Sequence, residues 1–136
     1  MHTLGTHFLL ELAGCPYHKL NDQAFVESVL LGAAKEAQAT IVTSTFHTFN
    51  PYGVSGVVVI AESHLTIHTW PEIGYAALDV FTCGGEALPE KAVDFCIQSF
   101  EATNHSFIEI KRGIIDDRTQ TASCFLSIQE GKVGRP

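Results

Sequence analysis

Residues 64–83 read HLTIHTW, then PEIG, then YAALDVFTC. In the first run Leu65 and Ile67 alternate with His64, Thr66, His68 and Trp70, the period of two of a half-buried β-strand. Pro71 to Gly74 carries turn chemistry, and the third run returns as a second strand. If the four-residue loop closes an antiparallel hairpin, facing residues sum to about 145. Trp70 then faces Tyr75, His68 faces Ala77, and Ser63 falls beside Thr82 and Cys83. A serine, a thiol and several histidines are thus expected to converge at one end of the hairpin.

Outward from this hairpin, 40–49 and 54–61 read as strands, separated by the turn signal Asn50-Pro51-Tyr52-Gly53. Residues 6–12 (THFLLEL) form another, and 106–111 and 123–128 read as closing strands. Asn21 and Asp22 are good N-caps for a helix whose apolar stripe is Phe25, Val29, Ala33 and Ala37. Pro89 suits the first turn of a second helix, with the stripe Ala92, Val93, Cys96, Ile97 and Phe100. The tail 131–136 is expected to fray. Strands in runs, short hairpins and two helices predict one α+β domain over 1–136, an antiparallel sheet with two helices packed on one face.

Composition narrows the function classes. Apolar residues make up 46% of the chain and charged ones 17%, which excludes a disordered tail. Eight Lys and Arg against fifteen Asp and Glu leave a formal charge of −7, a poor match to nucleic-acid phosphates. The longest apolar run, 57–61, is far short of the ~20 residues that span a bilayer. The start, MHTLGTH, lacks the basic region of a signal peptide, and the four cysteines show no C-x-x-C spacing. A reducing cytoplasmic setting with free thiols and no structural zinc is therefore expected.

Seven histidines in so acidic a chain invite a chemical reading. His64 and His68 are spaced for one helical face but lie on a strand, so a metal pair is not expected. Cys83 ends a strand ahead of two glycines, where a thiol can be exposed; Cys15, Cys96 and Cys124 fit a core better. Asp79 interrupts an apolar strand, and a buried carboxylate there would need a partner. Spacing alone leaves two readings open. One is an enzyme using Ser63, His68 and Cys83; the other is a binding module whose polar strand face contacts a small molecule.

The stretch Ala61-Glu62-Ser63-His64-Leu65-Thr66-Ile67-His68-Thr69-Trp70-Pro71-Glu72 resembles the small prokaryotic S-adenosylmethionine decarboxylases. The resemblance continues through Gly74-Tyr75-Ala76-Ala77 and Asp79-Val80-Phe81-Thr82-Cys83-Gly84. Upstream it covers residues 39–47 (ATIVTSTFH), 51–56 (PYGVSG), Gly5-x-His7 and Gly14-Cys15. It implies a self-processing proenzyme with a covalent pyruvoyl group. Ser63 attacks the carbonyl carbon of Glu62, and elimination from the resulting ester leaves a dehydroalanine. Hydrolysis then gives the pyruvoyl group and ammonia, with a β chain of 1–62 and an α chain of 63–136.

By the same resemblance His68 is the proton acceptor in processing, Ser55 assists it, and Cys83 is the proton donor in catalysis. The pyruvoyl carbonyl forms a Schiff base with S-adenosylmethionine and serves as the electron sink for loss of CO2. The product is the aminopropyl donor for spermidine biosynthesis. Phe49 and Trp70 are candidates to stack on adenine or the sulfonium, and Glu72 to bind ribose or the positive charge. Glu72 reads equally as a turn carboxylate, and Trp70 as packing. Thr6 departs from a common Arg and Ile73 from a common aromatic. The alternatives are a pyruvoyl-dependent arginine or ornithine decarboxylase and a non-processing regulatory paralogue. A sandwich completed by dimerisation of αβ units, without nucleic acid or membrane partners, is also implied.

Overall fold

A computed structural model describes residues 2–134, with side chains as far as Gln129. The strands are β1 (His2–Ala13), β2 (Ile41–Thr48), β3 (Val54–Ile60), β4 (Ser63–Trp70), β5 (Tyr75–Cys83), β6 (Asn104–Asp116), β7 (Thr121–Ala122) and β8 (Ser127–Gly134). They form one antiparallel sheet in the order β2-β3-β4-β5-β1-β6-β7, with β8 also on β6. The helices are α1 (Tyr17–Leu20), α2 (Gln23–Glu36) and α3 (Pro89–Ser99).

Alternation decides which face the helices cover. Leu65, Ile67 and Thr69 of β4 are buried, as are Ala76, Leu78, Val80 and Thr82 of β5 and Phe8, Leu10 and Leu12 of β1. Facing them, α2 contributes Val26, Val29, Leu30, Ala33 and Ala34, and α3 contributes Ala92, Val93 and Cys96. The other sheet face carries His7, Leu9, Val57, Val59, His64, Thr66, His68, Asp79 and Ile108, all at least partly exposed. Among the described residues, no helix is long and apolar enough to cross a membrane.

The hairpin of 64–83 has the expected register, with Trp70 opposite Tyr75 and His68 opposite Ala77. Its 71–74 turn is a 3-10 turn ended by Gly74 at φ +66°, a left-handed conformation that glycine adopts without strain. Asp22 caps α2 by accepting from the Phe25 N–H at 3.2 Å.

Four expectations are corrected. Residues 131–134 are not frayed but belong to β8, because β6 offers them a paired edge; 135–136 lie outside the described residues. The closing strand at 123–128 is instead split, with β7 and β8 flanking an irregular 123–126. Cys124 falls in that segment and is exposed, whereas Cys15 and Cys96 are buried. Asp79 is not buried: it lies on the uncovered face and pairs with Thr66 and His7.

Thr69 ties the helical layer to the sheet. Its Oγ1 accepts from the Val54 N–H and donates to the Leu20 carbonyl, both at 2.8 Å. Thr69→Val strands two buried backbone groups, an effect of about 1–3 kcal/mol. A thermal melt is expected to show a midpoint lower by roughly 5 °C or more, with Thr69→Ser close to wild type.

Candidate active site

The functional candidates fall into two clusters at opposite ends of β4. The first surrounds the β3–β4 turn. Ile60 pairs with Ser63, so only Ala61 and Glu62 make the connection. Glu62 sits at φ +68°, a region that is strained for a residue with a Cβ. The next residue, Ser63, has a buried Oγ without a hydrogen-bond partner. Buried hydroxyls are normally satisfied, so an idle one beside a left-handed residue is unusual. Glu62 and Cys83 line one cleft of about 660 Å³, together with the first residues of β1 and Gly84-Gly85.

Cys83 differs from the core thiols. Burial pushes the Cys96 thiol up to about 12, which leaves it inert. Burial also raises Cys83, and the Glu62 carboxylate adds to this, while the Arg112 guanidinium opposes it. Cys83 thus keeps its proton at neutral pH while remaining half-buried at a cleft wall.

Behind Cys83 lies a polar network on the uncovered face. Thr66 Oγ1 donates to Asp79 Oδ2 at 3.0 Å, and Asp79 Oδ1 is 3.4 Å from His7 Nε2. His7 stacks on Phe81 with ring centroids 5.1 Å apart, and His64 meets both rings edge-on. Burial pulls the His7 pKa down, against the opposing pull of Asp79.

The second cluster lies at the far end of β4. Ser55 Oγ and His68 Nδ1 are 2.7 Å apart across the β3–β4 ladder, where the two residues pair directly. They share a cleft of about 320 Å³ with Phe49, Tyr52, Trp70 and Glu72. Phe49 and Trp70 are exposed, at 48% and 41%. Trp70 also leans on Tyr75, with centroids 5.3 Å apart.

The structure therefore places Glu62 and Cys83 on one cleft, with Ser63 next in chain to Glu62 but turned by alternation to the face of Leu65 and Ile67, and it groups Ser55 with His68, Phe49, Trp70 and Glu72. It does not bring His68 to Ser63 within one chain. Five residues of strand separate them by about 16 Å, and alternation turns them to opposite faces. The histidines that do gather near Cys83 are His7 and His64, both packed on Phe81. Sequence reasoning missed Tyr52, Gly5 and Arg112. Tyr52 sat inside a recognised turn signal, but no local pattern tied Gly5 or Arg112 to Cys83.

Known proteins are similar to this chain in sequence and fold. Residues 6–113 match the sequence profile of a family described as S-adenosylmethionine decarboxylase. A Thermodesulfovibrio yellowstonii protein named S-adenosylmethionine decarboxylase proenzyme is 56% identical over 120 residues, 88% of this chain and 89% of that one. A Pyrococcus horikoshii protein of the same name is 50% identical over 122 residues, 89% and 88% of the two chains. The crystal structure of the Aquifex aeolicus adenosylmethionine decarboxylase superposes with a TM-score of 0.82 at 37% identity, covering 86% of this chain and 97% of that one. The chain belongs to the S-adenosylmethionine decarboxylase family.

Proposed function

We propose that this chain is a pyruvoyl-dependent S-adenosylmethionine decarboxylase that cuts itself between Glu62 and Ser63. The observation that carries this reading is the Glu62–Ser63 junction: a left-handed residue followed by a buried, unpaired hydroxyl. A left-handed non-glycine residue costs about 1–3 kcal/mol, and cleavage at its carbonyl releases that strain. Ser63 Oγ is the nucleophile, and the peptide bond becomes an ester with residue 62 as the acyl part. Water then completes the conversion of Ser63, with loss of ammonia, to a pyruvoyl group at the head of β4.

These residues suit that group, since the unpaired Oγ directly follows Glu62, which shares a cleft with Cys83. A pyruvoyl group at residue 63 would supply the carbonyl that binds the substrate amine and the electron sink for loss of CO2. Cys83, kept protonated by burial, returns a proton to the substrate α carbon. Phe49 and Trp70 offer aromatic faces to a sulfonium or adenine, and the Glu72 carboxylate offers a counter-charge. The acidic balance of the chain favours such a cation. Spermidine synthesis in the cytoplasm is the setting this chemistry fits.

The separation of Ser63 from His68 supports a site completed by a second copy of the chain. The uncovered sheet face exposes Leu9, Val59, Ile108 and Ile128. A second copy packed there buries that apolar surface and closes the sandwich. His68 and Ser55 of one chain then serve Ser63 of the other, and the Phe49, Trp70 and Glu72 cleft adjoins it.

Wild-type protein is expected to run as two chains, 1–62 and 63–136, and Ser63→Ala as one. An intact wild-type chain without a carbonyl, seen by mass spectrometry, would sink the pyruvoyl reading. Co-expression separates the two geometries. His68→Ala alone should stay whole, but be cut when assembled with Ser63→Ala, which supplies His68 in trans; a chain that stays whole in the mixture excludes the shared site. A CO2-release assay should favour S-adenosylmethionine over arginine and ornithine. In that assay Cys83→Ala should be cleaved normally yet turn over at least about 100-fold more slowly. Preferential release from either amino acid overturns the substrate, and normal turnover in the variant overturns the donor.

A further inference from the structure

We infer that Arg112 supports Cys83: its guanidinium, set on the same rung of the sheet across Gly5, stabilises the sulfur when Cys83 has given up its proton. This rests on the reading of Cys83 as proton donor. The placement follows from register. Cys83 of β5 pairs with Gly5 of β1, and Gly5 pairs with Arg112 of β6, so the three occupy one rung of the sheet. Directly paired residues share a face. The middle position has no side chain, and none would fit. A Cβ on Gly5 would lie 2.7 Å from Phe81 Cε1 and 2.9 Å from Cys83 Sγ. The glycine lets the Phe81 ring and the Cys83 sulfur close over β1, so no β1 side chain stands between Cys83 and Arg112 on that rung.

Arg112 lies against the same ring. Its Cζ lies over the Phe81 ring, 4.6 Å from the centroid, two residues along β5 from Cys83. Nη1 donates to His7 Nδ1 at 3.3 Å. His7 can accept there only as the neutral imidazole with its proton on Nε2, the nitrogen that faces Asp79. The lowering of the His7 pKa by burial keeps that form at neutral pH. Thr66, Asp79, His7 and Arg112 thus follow one another across β4, β5, β1 and β6, the His7 Nε2 to Asp79 contact of 3.4 Å falling short of a hydrogen bond. The ring face and His7 hold an otherwise flexible side chain beside the cleft.

The step balances simply. The electron pair left at the α carbon by departing CO2 forms the new C–H bond. The S–H bond of Cys83 breaks, and its pair stays on sulfur as a thiolate. That thiolate is next to the Glu62 carboxylate, which disfavours it, and Arg112 is the cation that offsets both Glu62 and burial. The other titratable groups nearby are His7 on β1 and His64 on β4, both packed on Phe81, with His2 on β1 and Glu86 beyond β5 lining the adjoining clefts. Solvent restores the thiol proton once the product leaves.

The test reads the thiol directly. Processed wild type, Arg112→Met and Arg112→Lys are alkylated with iodoacetamide across pH 6–11, and the label on each cysteine is counted by peptide mass spectrometry. In Arg112→Met the Cys83 midpoint should rise by about half a pH unit or more, a roughly threefold loss of rate below the midpoint. Arg112→Lys should recover most of it. Cys124, which is exposed, provides the unchanged reference, and Cys15 and Cys96 should stay unlabelled if the fold is kept. A Cys83 midpoint unmoved in Arg112→Met, or moved as far in Arg112→Lys, overturns the inference. Labelling is independent of turnover. Normal activity in Cys83→Ala would remove the donor role and leave the charge coupling standing, whereas an unmoved midpoint would do the reverse.

Discussion

Everything in this molecule depends on the two-residue alternation of β4 and its neighbours. Burial of Leu65, Ile67 and Thr69 under the helices forces His64, Thr66, His68 and Trp70 to the other face. The same constraint in β5 sends Leu78 and Val80 inward and leaves Asp79, Phe81 and Cys83 outward. A slip of one residue would exchange the two sets, so the hydrophobic core holds the chemical groups in register. The Thr69 hydroxyl, bonded to β3 and to the end of α1, fixes the height of that register against the helical layer.

From this constraint follows a division of labour along one strand. The head of β4 carries the strained junction and the unpaired Ser63 hydroxyl, backed by Cys83 and the His7–Asp79 network. The foot carries the Ser55–His68 pair and the aromatic cleft. A strand is stiff and extended, so the two ends cannot fold back on each other. The site we propose across two copies would answer this geometry, and the uncovered face carries exposed apolar residues on which a second copy could pack.

Much of the fold was legible because it is written in local periods. The hairpin at 64–83, the strands around it and both long helices come from alternation, helical stripes and turn residues that need no distant partner. The misjudged parts were those decided by neighbours. Residues 127–134 become a strand because β6 offers a free edge, and Cys124 is exposed because the chain there bridges β7 and β8. Asp79 looked buried in an apolar run, yet its position in the alternation turns it outward to Thr66 and His7.

The sequence by itself determined the antiparallel hairpin, its register, the two helical stripes and the Glu62-Ser63 junction with its family. Each of these is encoded in residues adjacent or one turn apart. Only the tertiary structure decided that His7 lies against Asp79 and that Arg112 and Cys83 share one rung across Gly5. Those relations join β1, β5 and β6 across more than a hundred residues of chain. No period in the sequence reports them, because they arise only when strands remote in sequence share one ladder of hydrogen bonds.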